Sequence, residues 1–332
     1  MKTRLIAAIL VLLNGCMPAI YPAGEKVQVA QLHQHRFMTD DGMSLPYKSW
    51  LPETHKVKAV IVALHGFNDY SNFFDLPGTY LQKQGIASYA YDQRGFGASP
   101  NQGLWAGIDA YVEDVLLFTR LIKHQHPGLP IYILGESMGG AVVAVTMSQS
   151  IKPNVDGIIL AAPAIWPKTN MPWYQRGLLW SLAHSVPWLT LTGKGVVKVT
   201  PSDNIEMLRA LSKDPLVIKD TRVETIYGLS NLMDAAFISA EQLDTRLLLM
   251  YGEKDDIIPA QPVYQFLENL SGKNQTIALY ADSYHMLLRD LHRQKLLNDI
   301  NTWIDTVEAP LPSGADKHAL EILEMEIPQI LE

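Results

Sequence analysis

One stretch limits the possible folds of this 332-residue chain more than any other. The apolar, β-prone run Ile131-Tyr132-Ile133-Leu134 leads straight into Gly135-Glu136-Ser137-Met138-Gly139, and the small-residue stretch Gly140-Ala141-Val142-Val143-Ala144 follows. A short buried strand, a glycine-flanked serine and a run of small residues form the local plan of a strand, a sharp turn and a helix. The turn is so tight that only small residues fit on either side of the serine, whose hydroxyl is pushed out above the sheet. The five-residue pattern alone is weak, since a chain this long matches it by chance roughly one time in ten at ordinary Gly and Ser abundance. Its force comes from the strand before it and from partners elsewhere in the chain.

Further strand signals lie at 57–64, 86–91, 157–162, 246–251 and 276–280, with helical patterns at 73–84, 108–125, 138–150, 260–270 and 290–307. Strands alternating with helices predict an α/β fold with a mostly parallel central sheet and helices on both faces. Ahead of them, an apolar–polar alternation from His35 to Trp50 passes through Asp40-Asp41-Gly42, a hairpin signal. Residues 164–240 break the pattern, having no convincing core strand but many helix formers and prolines. They read as a helical cap inserted between two parts of the core, 35–163 and 241–308. Residues 309–332 read as an acidic C-terminal extension with a short amphipathic helix, to which no chemistry is assigned.

A chain 48% hydrophobic and 18% charged has ample material for a core. Its net charge of −7 argues against a nucleic-acid partner, which calls for a basic face. The single cysteine, Cys16, excludes an intrachain disulfide. Lys2 and Arg4 precede the unbroken apolar run 5–13, which is too short for a permanent membrane span and reads as a signal peptide, residues 1–15. Leu13-Asn14-Gly15-Cys16 resembles the bacterial lipobox, in which the cysteine becomes the lipidated first residue of the mature chain. The alternative is an ordinary signal peptide cut nearby, leaving a free thiol. Loss of Lys2 and Arg4 takes the net charge from −7 to −9. Residues 16–34, with Pro18, Pro22 and Gly24, then read as a tether. Met17 rather than Asp follows the cysteine, which in a Gram-negative cell points to the outer membrane within a cell-envelope location.

A serine hydroxyl is a poor nucleophile without an adjacent base that is itself oriented by a carboxylate. After Ser137 the chain offers His184, His285, His292 and His318. Only His285 lies in a loop just past a core strand, at the carboxyl end where open α/β sheets place ligands. The acid should end the preceding strand, in Gly252-Glu253-Lys254-Asp255-Asp256. Asp255 is preferred and Asp256 is the alternative; the other of the pair serves as a cap or turn residue before the helix opened by Pro259. Attack on an ester leaves an oxyanion that wants two N–H donors. Met138, next to the serine, and Phe67, in His65-Gly66-Phe67-Asn68, are the candidates. His65 precedes the elbow and reads as shaping its loop by hydrogen bonding.

His65-Gly66-Phe67, Asp92-Gln93-Arg94-Gly95-Phe96-Gly97, the Ser137 elbow, Asp214-Pro215-Leu216-Val217, the 252–259 turn and Tyr284-His285 together resemble the monoacylglycerol lipase and lysophospholipase family of α/β-hydrolases. The resemblance covers about residues 35–307 and excludes the signal segment and the tail. It implies a serine hydrolase without metal or cofactor, with a mobile cap and ester substrates that are often monoacyl lipids. Many members carry His where this chain has Glu136, but that side chain is not the nucleophile. Asp92-Gln93-Arg94-Gly95 reads as a structural turn. The alternatives are a small-ester esterase, a thioesterase or an amide hydrolase on the same fold, and a non-catalytic lipid-binding lipoprotein.

In the cap, Trp166, Trp173, Trp180 and Trp188 are four of the seven tryptophans. Trp173 and Trp180 lie one heptad apart and share a helix face. They either pack the cap on the body or form a lipid-facing substrate entrance. Between 157 and 202 there is no Asp or Glu, but there are Lys168, Arg176, Lys194 and Lys198. That patch is either a solvated basic face or an attraction to anionic lipid, worth roughly 1 kcal/mol per surface-proximal base.

Overall fold

The computed structural model describes residues 18–54, 56–192, 199–272, 274–307 and 309–330, the last five by their backbone. Cys16, Lys194 and Lys198 lie outside the described residues.

Six short apolar runs form the parallel part of a nine-stranded sheet. They are β4 (Ala59–Leu64), β5 (Ile86–Tyr91), β6 (Ile131–Glu136), β7 (Gly157–Ala161), β10 (Leu247–Gly252) and β11 (Gln275–Tyr280). The first five are buried along their whole length, the condition under which a strand is apolar on both faces and loses its alternation. The antiparallel strands β1 (Gln31–His33), β2 (Arg36–Met38) and β3 (Ser44–Trp50) extend one edge, giving the order β1-β2-β3-β5-β4-β6-β7-β10-β11.

Each face of the sheet carries its own apolar layer. Val60, Val62 and Leu64 join the layer of α2 (Ile108–Gln125), α3 (Met138–Met147) and α7 (Ala260–Glu268). Ala59, Ile61 and Ala63 join the layer of α1 (Asp75–Gln82) and α8 (Arg293–Asp305). The alternation of β4 side chains between the two layers follows from the two-residue period of a strand.

The chain leaves the sheet after β7 and forms α4 (Trp173–Ser185), β8 (Thr190–Thr192), α5 (Ile205–Lys213), β9 (Asp220–Arg222) and α6 (Val223–Ile238) before returning at β10. The antiparallel pair β8–β9 is separate from the main sheet and has no counterpart in the sequence reading. α6 is also more integral than a cap helix need be, since Leu232, Met233 and Ala236 are buried in the α2–α3 layer.

Two terminal segments are more ordered than their composition implies. The described part of the 16–34 tether is bonded to the body: Tyr21 N–H donates to Trp105 O (2.8 Å) and Val27 N–H to Asp40 O (2.8 Å), before β1 joins the sheet. Backbone pairing of this kind leaves no side-chain pattern to read. At the other end, α9 (Ala315–Ile330) runs beside β11, with Ala315 in one apolar layer and Ala319 in the other. It thereby covers the sheet edge, which would otherwise present unpaired backbone groups. Among the described residues no helix is long and apolar enough to cross a membrane.

Candidate active site

Ser137 sits between the end of β6 and the start of α3 with φ 54° and ψ −117°, a left-handed backbone that a serine adopts only under constraint. Three hydrogen bonds impose it. Ser137 N–H donates to Ala161 O (3.0 Å), and Ser137 O accepts from Ala141 N–H (3.1 Å) and Ala164 N–H (2.9 Å). The flanking glycines have no room for a side chain. A Cβ at Gly135 would lie 2.3 Å from Gly139 O, and one at Gly139 would lie 2.2 Å from Leu64 O.

The loop after β11 brings His285 to the serine, with Nε2 2.9 Å from Ser137 Oγ. Nδ1 lies 2.7 Å from Asp255 Oδ2, in the turn after β10. A carboxylate cannot donate, so Nδ1 carries the proton and Nε2 accepts from the serine hydroxyl. Asp255 Oδ1 accepts from Ile257 N–H (2.8 Å) and Ile258 N–H (3.0 Å), which fixes the carboxylate. Asp256 points elsewhere, its Oδ2 3.4 Å from Thr200 N. The two loops meet because Gly252 lies under the backbone of Ser283, where a Cβ would come within 2.3 Å of Ser283 O.

Phe67 and Met138, the candidate oxyanion donors, flank the serine. A Cβ on Gly66 would stand 3.8 Å from Ser137 Oγ, so the 65–68 loop passes directly over the nucleophile. Met138 opens α3, where an amide has no intrahelical acceptor. Among the described residues, neither amide has a protein acceptor. His65 is buried behind this loop. Its Nε2 accepts from Gln93 N–H (3.0 Å) and its Nδ1–H donates to Gly66 O (2.8 Å), while burial pushes its pKa down and keeps it neutral.

The profile of the family described as serine aminopeptidase, S33, matches residues 55–292. The chain belongs to this hydrolase family. It is 23% identical over 288 residues to a monoacylglycerol lipase of Mycolicibacterium smegmatis, covering 82% of this chain and 96% of that one. It is 25% identical over 270 residues to the mouse monoglyceride lipase, covering 80% and 88%. Kinship with these lipases makes it an ester hydrolase. The crystal structure of a soluble variant of the Saccharomyces cerevisiae monoglyceride lipase superposes with a TM-score of 0.69 at 22% identity, over 86% of this chain and 98% of that one, and shows the α/β-hydrolase fold.

The hydrolase has a cavity of about 380 Å³ over Ser137. Its lining is largely apolar, with Trp166, Leu179, Leu229, Met233 and Ile257. It also includes a buried ionic group that sequence reasoning did not find. Arg289 Nη2 binds Glu136 Oε2 (2.8 Å) and Nη1 binds Asp69 Oδ2 (2.7 Å). Burial pushes the Glu136 carboxyl up, while Arg289 opposes the shift. The readable signal was Glu136 itself: a carboxylate at the end of a buried strand calls for a cation.

Trp173 and Trp180 lie outside the cavity lining and are 78% and 56% exposed. They therefore do not pack the cap on the body; α4 contributes Leu179 to the cavity instead. Of the described cations of the basic stretch, Lys168 turns onto Asn231 Oδ1 (2.5 Å) and the Tyr227 ring, while Arg176 is exposed.

Proposed function

We propose that this hydrolase cleaves carboxylic esters of monoacyl lipids, of the monoacylglycerol or lysophospholipid type, through an acyl-enzyme on Ser137. Ser137 Oγ attacks the ester carbonyl as His285 Nε2 takes its proton. Asp255 stabilises the imidazolium, and the Phe67 and Met138 amides stabilise the oxyanion. His285 returns the proton to the leaving alcohol. A water activated by His285 then attacks the acyl-enzyme, releases the fatty acid and restores the serine. No metal or cofactor enters these steps. The reading is carried by one observation: the hydrogen-bonded line Ser137–His285–Asp255 opens into a cavity whose lining is largely apolar but includes the ionic group of Asp69, Glu136 and Arg289. An acyl chain suits the apolar lining and a hydroxylated headgroup the polar groups. Lipidation of Cys16 would hold the enzyme in the cell envelope beside such substrates.

The test is labelling by a fluorophosphonate beside Ser137→Ala, followed by turnover of an acyl-chain series and of monoacylglycerol against lysophospholipid. Labelling that depends on Ser137, with turnover of long-chain esters, is the expected result. A steep preference for short acyl groups would replace this reading with a small-ester esterase. Folded protein that takes no label would replace it with a lipid-binding protein.

A further inference from the structure

Phe67 sits in a tight turn of the body. Asp69 N–H donates to Gly66 O (3.3 Å) across Phe67 and Asn68, and Asn68 stands at φ 63°. Asparagine tolerates that left-handed backbone better than most residues with a side chain, but the turn still has to be held. Upstream, the body holds it. His65 Nδ1–H donates to Gly66 O, and the Phe67 ring packs edge-to-face on Phe96 with centroids 5.7 Å apart. Downstream, it is held by the cap.

Three hydrogen bonds join the cap limb 214–221 to residues 68–70. Ile218 N–H donates to Asn68 O (2.9 Å). Asn68 Nδ2 donates to Thr221 Oγ1 (2.7 Å), in β9. Tyr70 OH donates to Asp214 Oδ2 (2.7 Å), at the start of Asp214-Pro215-Leu216-Val217. The residue after Phe67 therefore gives both its backbone oxygen and its side chain to the cap. The limb is itself braced: Asp214 Oδ1 accepts from Leu216 N–H (2.9 Å), and Lys219 Nζ donates to Asp214 O (2.8 Å) and Val217 O (2.6 Å). Tyr70 and Thr221 are buried, so water does not readily replace their partners. Burial, and after it the Asp214 carboxylate, push the Tyr70 phenol above its ordinary value and keep it protonated as the donor.

We propose that the 214–221 limb of the cap positions the Phe67 amide over Ser137, with Asn68, Tyr70, Asp214 and Thr221 as positioning residues for the oxyanion. This rests on the reading of Phe67 as an oxyanion donor and adds the part of the molecule that sets it. An amide stabilises an oxyanion only within about 2.7–3.1 Å of it, so a turn that relaxes slightly forfeits the bond while the triad stays aligned. The cap then does more than cover the cavity. The Asp214–Val217 segment and the β8–β9 pair contribute nothing to the cavity lining among the described residues, and they complete the site from outside it.

The experiment compares an ester with its thiono counterpart, in which sulfur replaces the carbonyl oxygen. Sulfur accepts hydrogen bonds weakly, so the ratio of the two kcat/KM values reports the bonds to the oxyanion. The native enzyme should prefer the oxygen ester. Thr221→Val, Tyr70→Phe and the two combined are measured per site titrated to completion with a fluorophosphonate. The double variant should lower kcat about 10- to 100-fold, part of the loss expected for a whole donor, with KM within about twofold and the oxygen-to-sulfur ratio falling in step. Thr221→Ser, which keeps the hydroxyl, should recover most of what Thr221→Val loses. An unchanged ratio and unchanged kcat per titrated site, even with a lower melting temperature, would reduce the limb to a structural brace and overturn the proposal. A raised KM with unchanged kcat would overturn it too, by placing the limb in ground-state binding. A native enzyme without preference for the oxygen ester would instead remove the oxyanion reading itself, and the proposal with it, while Ser137 labelling in the same samples still reports on the nucleophile.

Discussion

Two helices that each carry seven apolar side chains meet the cavity region and could hardly be used more differently. All ten residues of α3 are buried, beneath Ser137. In α4, above the cavity, one of thirteen is. Composition and neighbours both contribute: α3 has Thr146 as its one polar side chain and is surrounded by β6, α2 and α6, while α4 carries Gln175, Arg176, Ser181, His184 and Ser185, covers a hollow with one side and meets solvent with the other. A strained serine needs the first environment, because only a packed and fully bonded frame holds an unfavourable backbone in place. The second environment leaves α4 with few buried contacts, and such elements are the ones that open at low cost.

The comparison breaks if body substitutions around the site prove cheap or cap substitutions prove expensive. The largest effect is expected at Arg289. Arg289→Met leaves Asp69 and Glu136 buried without their cation and should cost about 3–5 kcal/mol in denaturant unfolding. Adding Glu136→Gln should recover part of that loss; no recovery would mean that the ion group is not the cause.

Asp41 should rank next. Burial opposes its ionisation, but the Arg94 guanidinium (2.6 Å), the Thr39 hydroxyl and the Gly24 N–H overcome that and hold its carboxyl well below the usual carboxylate range. A depressed folded pKa gives stability above the unfolded value, near ~3.9, that is lost as pH falls through the folded value. Melting temperature measured against pH should therefore fall less steeply on the acid side in Asp41→Asn than in the native protein.

Where the cap touches the body, an intermediate effect is expected. Ser202 Oγ donates to Asp290 Oδ1 (2.5 Å), whose Oδ2 accepts from Tyr284 N–H (2.8 Å), and Met286 N–H donates to Pro201 O (2.8 Å). The backbone on both sides of His285 is thus held by the 201–202 limb or by its carboxylate partner. Ser202→Ala should cost about 1–3 kcal/mol and lower kcat per fluorophosphonate-titrated site with little change in KM. A lower titrated fraction with unchanged kcat per site would reduce Ser202 to a structural role.

Elbow strain itself should be measurable. Ser137→Gly and Ser137→Ala both lose the hydroxyl, but only glycine is at ease at positive φ, so the Gly variant should melt higher, by roughly 1 kcal/mol. Smallest of all, changing Trp173, Trp180 and Trp188 together to Ser should alter stability by less than about 0.5 kcal/mol per site. A cooperative loss of several kcal/mol would show that this side of the cap is packed in solution.

Much of the body was legible from the sequence, because buried parallel strands are written as uninterrupted apolar runs and the helices between them keep their period. The elbow was legible for a steric reason: no residue larger than glycine fits at 135 or 139. The pairing of Arg289 with Glu136 across 153 residues was not legible, since no local pattern records a contact made by the fold. Nor was β8–β9, whose six residues include three threonines and two charges and have no apolar stripe. The side on which Trp173 and Trp180 lie was open in the sequence, because a heptad spacing states that two residues share a face without stating what that face meets.

Local sterics and periodicity therefore fixed the strand–turn–helix elbow, the parallel sheet and the narrow choice among histidines and acids. The tertiary structure decided which of Asp255 and Asp256 faces His285, which cation neutralises Glu136, and that the cap aromatics Trp173 and Trp180 are exposed. Each of those depends on distances between segments far apart in the chain, and only the folded sheet sets such distances.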